Sequence, residues 1–177
     1  MEDMHLLLRA HHLLCIPQYQ GSGYSKAFCR QMEEVIKTLG EGKYRILLLD
    51  APDILCCHCP NLLRGRTDRQ DATEAEKEAA TEERAQKRTE LKRRDDGKYG
   101  CEGWHCEKEA EIIRKDRTLL TGLHLETETA YEPEKLKAAV RLYMTQELFC
   151  KACGDCEWLR RGFCGYELWK EKFYDTF

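Results

Sequence analysis

A helix-rich α+β single domain with two or three short strands is the fold class this 177-residue sequence predicts. Three segments carry apolar residues at three- and four-residue spacing, and two apolar runs of strand length lie in the N-terminal third. The third observation is a block over 65–98, where 34 residues carry ten basic and ten acidic side chains and Leu91 is the only large apolar one. Such a block cannot bury enough surface to join a core. The rest of the chain, 1–177 without it, is an ordinary size for one domain.

His5 to Arg9 (HLLLR) reads as a strand or the start of a helix. Ala10 to Ile16 is compact, and Pro17 is expected to end any helix there. Gly21-Ser22-Gly23 signals a turn, with Ser25 as N-cap of an amphipathic helix. Phe28, Met32, Val35, Ile36 and Leu39 form its apolar stripe, and Gly40 is expected to close it. Lys43 to Asp50 (KYRILLLD) is a strand-length run stopped by Ala51-Pro52.

Within 65–98, alanines and the Glu83/Lys87 and Glu90/Arg94 pairs favour a solvent-exposed helical insertion, opened by Thr73 and Glu76 as a capping box. A partner-docking arm is the alternative. Glu107 to Leu120 follows as a helix through Ala110, Ile113, Arg117 and Leu120. Pro133 suits a first helical turn, and Leu136, Ala139, Val140, Tyr143, Met144 and Leu148 continue as one stripe. Aromatics between Cys164 and Phe177 are expected to cover the core's edge.

A formal charge of −3 excludes a strongly basic nucleic-acid footprint for the whole chain. No run approaches the ~18 apolar residues of a membrane span. Met-Glu-Asp-Met-His is acidic where a signal peptide is basic. A cytoplasmic protein is the expectation, and in a reducing cytosol cysteines stay thiols. There are eleven cysteines, an odd number, so complete internal disulfide pairing is ruled out.

Two groups of them have metal-ligand spacing: Cys56-Cys57-His58-Cys59-Pro60, and Cys150, Cys153, Cys156 followed by Cys164. A core strand rarely carries three thiols and an imidazole in four positions, which argues against inert packing. Zinc, redox dithiols and clusters all use a CxxC pair. Cys150, Cys153 and Cys156 reproduce part of the ferredoxin run, and thiols outnumber imidazoles, which favours a [4Fe–4S]-type iron–sulfur cluster with zinc as alternative. His11 and His12 precede Cys15 by four and three residues, so a helix would set both imidazoles beside the thiol. That trio allows a nucleophile with its base, extra metal ligation, or plain packing.

Taken in order, Arg9-Ala-His-His-Leu-Leu-Cys15, Gly21-Ser-Gly-Tyr-Ser25, Asp53-Ile-Leu-Cys56-x₂-Cys59-Pro60 and Cys153-Gly-Asp-Cys156-Glu-Trp158 with Cys164 resemble the domain of unknown function 1284 family. The resemblance implies a small protein without assigned activity, with iron–sulfur binding suspected from its cysteines. It also assigns the family's middle cysteine to Cys106, about ten residues before Asp116, and leaves Cys29, Cys57, Cys101 and Cys150 as extras. The expected ligand set is therefore Cys56, Cys59, Cys106, Cys153, Cys156 and Cys164, in an electron-transfer, sensing or structural role. Competing readings are a structural zinc scaffold and a metal-assisted enzyme using Cys15, His11 and His12. A redox or protein partner is implied, without nucleic acid or membrane; oligomeric state stays open.

Overall fold

The computed structural model describes residues 5–42, 44–64 and 104–177. The insertion expected over 65–98, and Cys101, lie outside the described residues. Within them the chain is a helix-rich α+β domain with seven α-helices and five short strands in two sheets.

The apolar run at the start is a strand, β1 (His5–Arg9), pairing in parallel with β2 (Arg45–Leu49) from His5↔Arg45 to Arg9↔Leu49. A two-residue strand, Ala130–Tyr131, adds antiparallel to the far side of β2. Ile46, Leu47, Leu48 and Leu49 are all buried, because a central strand covered on both faces needs apolar residues in succession rather than in alternation.

Between β1 and β2 the chain forms α1 (His12–Cys15), a 3₁₀ turn (Ile16–Gln18) and α2 (Lys26–Glu41). The α-helix ends at Cys15, ahead of Pro17, which sits in the first positions of the 3₁₀ turn, where a missing N–H costs nothing. Ser25 caps α2 as expected, its hydroxyl accepting the Phe28 N–H at 3.0 Å. The helix runs past Gly40 and ends at Gly42, whose left-handed φ of 66° suits a residue without Cβ.

After β2, a second 3₁₀ turn (Cys56–His58) leads to β3 (Leu62–Arg64), which pairs antiparallel with β4 (Trp104–Cys106). The helices α3 (Glu109–Leu123), α4 (Pro133–Tyr143), α5 (Gln146–Cys153), α6 (Glu157–Arg160) and α7 (Tyr166–Thr176) complete the domain, the short strand Ala130–Tyr131 being β5. The stripe expected to be continuous from Leu136 to Leu148 is two helices. Met144 is extended, and Thr145 starts α5 by accepting the Leu148 N–H at 3.1 Å. The C-terminal aromatics go inside rather than over the edge: Trp169, Phe173 and Phe177 are buried with Phe149 in the main core. No helix among the described residues is long and apolar enough to cross a membrane.

Candidate functional site

The site begins at Arg9, the last residue of β1, whose side chain is completely buried. A buried guanidinium needs charged partners, and two aspartates supply them. Asp116, from the middle of α3, accepts Arg9 Nε at 2.7 Å through Oδ2. Its Oδ1 accepts both the His11 backbone N–H at 2.9 Å and His11 Nδ1 at 2.8 Å. Asp53, in the loop after β2, accepts the Arg9 backbone N–H at 2.7 Å and His12 Nδ1 at 2.5 Å through Oδ2. The other oxygen caps the next turn by accepting the N–H groups of Leu55 and Cys56 at 2.9 and 3.0 Å.

An ionised carboxylate only accepts, so each imidazole donates to its aspartate from Nδ1. The two rings lie 4.2 Å apart. Burial pushes both aspartates up, but the imidazoles, Arg9 and the donated N–H groups outweigh it and hold both below the usual carboxylate range. Burial, reinforced by the neighbouring His12, lowers His11, so its imidazole is neutral near pH 7.

Both imidazoles line a pocket of about 130 Å³ that four thiols share: Cys15, Cys153, Cys156 and Cys164. Each arrives from a helix end. Cys15 closes α1, Cys153 closes α5, Cys156 precedes α6 and Cys164 stands two residues before α7. Two hydrogen bonds bring the sequence ends together. Gln18 Oε1 accepts the Gly165 N–H at 2.6 Å, and Trp169 Nε1 donates to the Leu13 carbonyl at 3.0 Å. Tyr24, Phe28, Trp158 and Phe163 form the aromatic wall.

Cys15 is exposed, and the surface it offers faces the pocket. Burial and the neighbouring thiols Cys153, Cys156 and Cys164 push it well up, against a smaller opposing effect of Lys115. The same causes push Cys153 to about 12 and Cys164 to about 11. Lys115 is itself buried, its Nζ 2.7 Å from Glu111 and its charge within reach of Cys15 and Cys156.

The six cysteines expected as ligands therefore divide. Cys153, Cys156 and Cys164 are brought together, and Cys15 joins them. Cys56, Cys59 and Cys106 do not line the pocket; Cys56 and Cys106 lie within electrostatic reach of the Arg9 guanidinium, and Cys59 within reach of Cys56. Tyr24 stands between the groups, within reach of Cys15, Cys59 and Cys156. Of the cysteines expected as extras, Cys29 is half-buried, Cys57 buried and Cys150 exposed. Among the described residues, no three His, Cys, Asp or Glu side chains stand close enough together to hold a single metal ion.

Sequence reasoning alone did not single out Lys115 or give roles to Asp53 and Asp116. Asp53 had a local signal, an Asp three residues before Cys56 where a turn begins. Lys115 and Asp116 had none, because they sit in a charged stretch where most side chains face solvent.

Fold and site define a cysteine-rich α+β protein with a thiol-lined pocket backed by two carboxylate–imidazole pairs. The family model "Protein of unknown function (DUF1284)" matches residues 23–100 and 87–162, and the chain belongs to that family. His11, His12, Cys15 and Cys164 lie outside the matched stretches. No curated protein and no solved structure matches the chain.

Proposed function

We propose that the pocket binds a [4Fe–4S]-type iron–sulfur cluster through Cys15, Cys153, Cys156 and Cys164, in a cytoplasmic, reducing setting and for transfer of electrons to a redox partner. The observation that carries this reading is four thiols around one cavity, without three donors close enough for a single ion among the described residues. Zinc held tetrahedrally at ~2.3 Å needs sulfurs only about 4 Å apart. A cluster takes its four thiolates at the corners of a larger body, which suits thiols that line a cavity rather than meet at a point. Structural zinc therefore becomes the weaker reading for this pocket.

The surroundings support the same conclusion. Buried Lys115 offsets part of the negative charge that four thiolates bring, and aromatic side chains line the same pocket. When bound, the cluster supplies one-electron chemistry whose potential follows charge, hydrogen bonding and exposure. All four thiols must lose protons to ligate, and burial holds three of them protonated, so loading is favoured by raised pH.

A second reading, metal-assisted catalysis, draws on the orienting carboxylates. Asp116 and Asp53 fix the imidazoles as acid–base groups are fixed in enzymes. Cys15 does not suit the nucleophile's part, because its surroundings disfavour the thiolate.

The test is iron and acid-labile sulfide analysis of anaerobically purified protein, with about four of each expected per chain. Cys15→Ser, Cys153→Ser, Cys156→Ser and Cys164→Ser should each lower cluster content sharply. Colourless protein holding one zinc per chain would overturn the reading.

A further inference from the structure

We propose that the groove between α3 and α5 docks the carboxylate-bearing face of an acidic protein electron carrier, which passes electrons to the neighbouring thiol-lined pocket. The electron transfer rests on the cluster reading of that pocket, whereas the docking surface belongs to the folded chain with or without a cluster.

The first observation is the face that α3 leaves open. From Ala110 to Gly122 its groove-lining residues recur at three- and four-residue steps, so they share one side of the helix. Leu119, Leu120 and Leu123 are buried in the core instead. With α5 the open side encloses a groove of about 550 Å³. Leu148 of α5 packs on Gly122, where a Cβ would stand 2.5 Å from Leu148 Cδ1. Half-buried Ile113 and Leu148 give the groove an apolar floor.

The second observation is charge. Arg114, Arg117 and Lys151 are exposed and line the groove, and none of the described residues lining it is acidic. The whole chain carries a formal −3, so the groove runs against the sign of the molecule. Two carboxylates reach its margins. Asp155 accepts Arg114 Nη2 at 3.2 Å, and Asp50 stands 3.9 Å from Arg117 Nη2. Both pairs are exposed and hold little energy, so the guanidiniums are able to turn to a partner's carboxylates. An acidic protein is repelled by the chain's net charge and attracted at this groove, which orients the encounter. Three cations neutralise at most three phosphates, a weak hold on nucleic acid for a chain of this charge.

The third observation is position. Ile112 and Lys115 of α3 line the pocket, while Ile113 and Arg114 line the groove. Lys151 of α5 lines the groove, and Cys153 two residues on lines the pocket. Arg114 Nη1 donates to the Lys151 carbonyl at 3.0 Å and so ties the two helices together between groove and pocket. A carrier seated there is separated from the pocket by about 10 Å, the width of one helix. Electron-transfer partners form the smallest specific interfaces, so a short groove with a charged rim is enough. The reduced carrier gives up one electron and the cluster takes it; no covalent bond forms or breaks.

The experiment measures binding of anaerobically purified full-length protein to a flavodoxin, used as the acidic carrier, at graded salt. Stopped-flow mixing then follows one-electron oxidation of the flavin hydroquinone through the visible absorption of its semiquinone. Binding should weaken as salt screens the exposed charges, and flavodoxin with amidated carboxylates should not bind. Arg117→Glu with Lys151→Glu should weaken binding at least tenfold, chiefly through slower association, and slow semiquinone formation about tenfold. Arg117→Gln with Lys151→Gln should weaken it less, and Lys170→Glu, on α7 outside the groove, should bind as wild type does. Dithionite should reduce the cluster equally in all of them. The proposal is overturned if wild type does not bind at low salt, or if the Glu double variant binds flavodoxin as tightly. It is overturned as well if a single-stranded RNA oligonucleotide binds instead and the same reversals abolish that. Charge-dependent binding by protein that holds no iron overturns the electron transfer and the cluster reading, and upholds the docking surface.

Discussion

Arg9, Asp53 and Asp116 are each 0% exposed, so their mutual arrangement governs how the site responds to mutation and to pH. Removing one partner of a buried ion pair leaves an uncompensated charge, typically at a cost of roughly 3–5 kcal/mol. Asp116→Ala should approach that loss in urea unfolding at neutral pH, since it strands Arg9 Nε and releases His11. The pH dependence has a definite sign. Both aspartates are held below the usual carboxylate range when folded, so as pH falls through about 4 the unfolded chain takes up protons first. Stability present at neutral pH is then lost on acidification toward the folded-state values. Unfolding midpoints measured at pH 7 and pH 3 should differ widely. Asp53→Asn should narrow the difference; an unchanged gap would mean the acid response arises elsewhere.

At the scale of elements, helix ends deliver the pocket thiols, so the packing of α3 against α5 sets the spacing between Lys115 and Cys153. Gly122 marks that contact: a Cβ there would stand 2.5 Å from Leu148 Cδ1 and 2.6 Å from its Cδ2. Gly122→Val therefore wedges the two helices, at roughly the 1–3 kcal/mol that overpacking costs. The expected readout is a lower thermal midpoint together with reduced cluster retention; retention unchanged in a destabilised protein would uncouple the pocket from this contact. The same elements mark what the sequence discloses. Run length made β2 legible but left β1 open between strand and helix, and Ser25 marked the start of α2, because these signals are local. The break at Met144–Thr145 was hidden, since two helices whose apolar faces continue one another leave a single stripe. Cys153, Cys156 and Cys164 were recognisable from spacing. That Cys15 joins them depends on Gln18 meeting Gly165 and Trp169 meeting Leu13, contacts between distant parts of the chain that no periodicity records.

For the whole molecule, the decisive geometry is at the ends of β3 and β4. Arg64 and Trp104 are paired positions in the two-stranded sheet, so the long connection over 65–103 leaves and returns at neighbouring points. Excising 65–98 leaves residues 99–103 to join them, and five residues are a length that closes an antiparallel pair. Among the described residues, those that line the pocket come from positions 11–32 and 112–164. The shortened protein should therefore keep its fold and its metal content. Each doubling of loop length costs only ≈0.6 kcal/mol in closure entropy, and the connection shrinks by about three doublings. Any gain in stability should then stay within about 2 kcal/mol, readable as a small rise in the urea midpoint at constant slope. Loss of iron on excision would place a necessary group inside 65–98, whereas loss of a pull-down partner with iron retained would identify that segment as a docking arm.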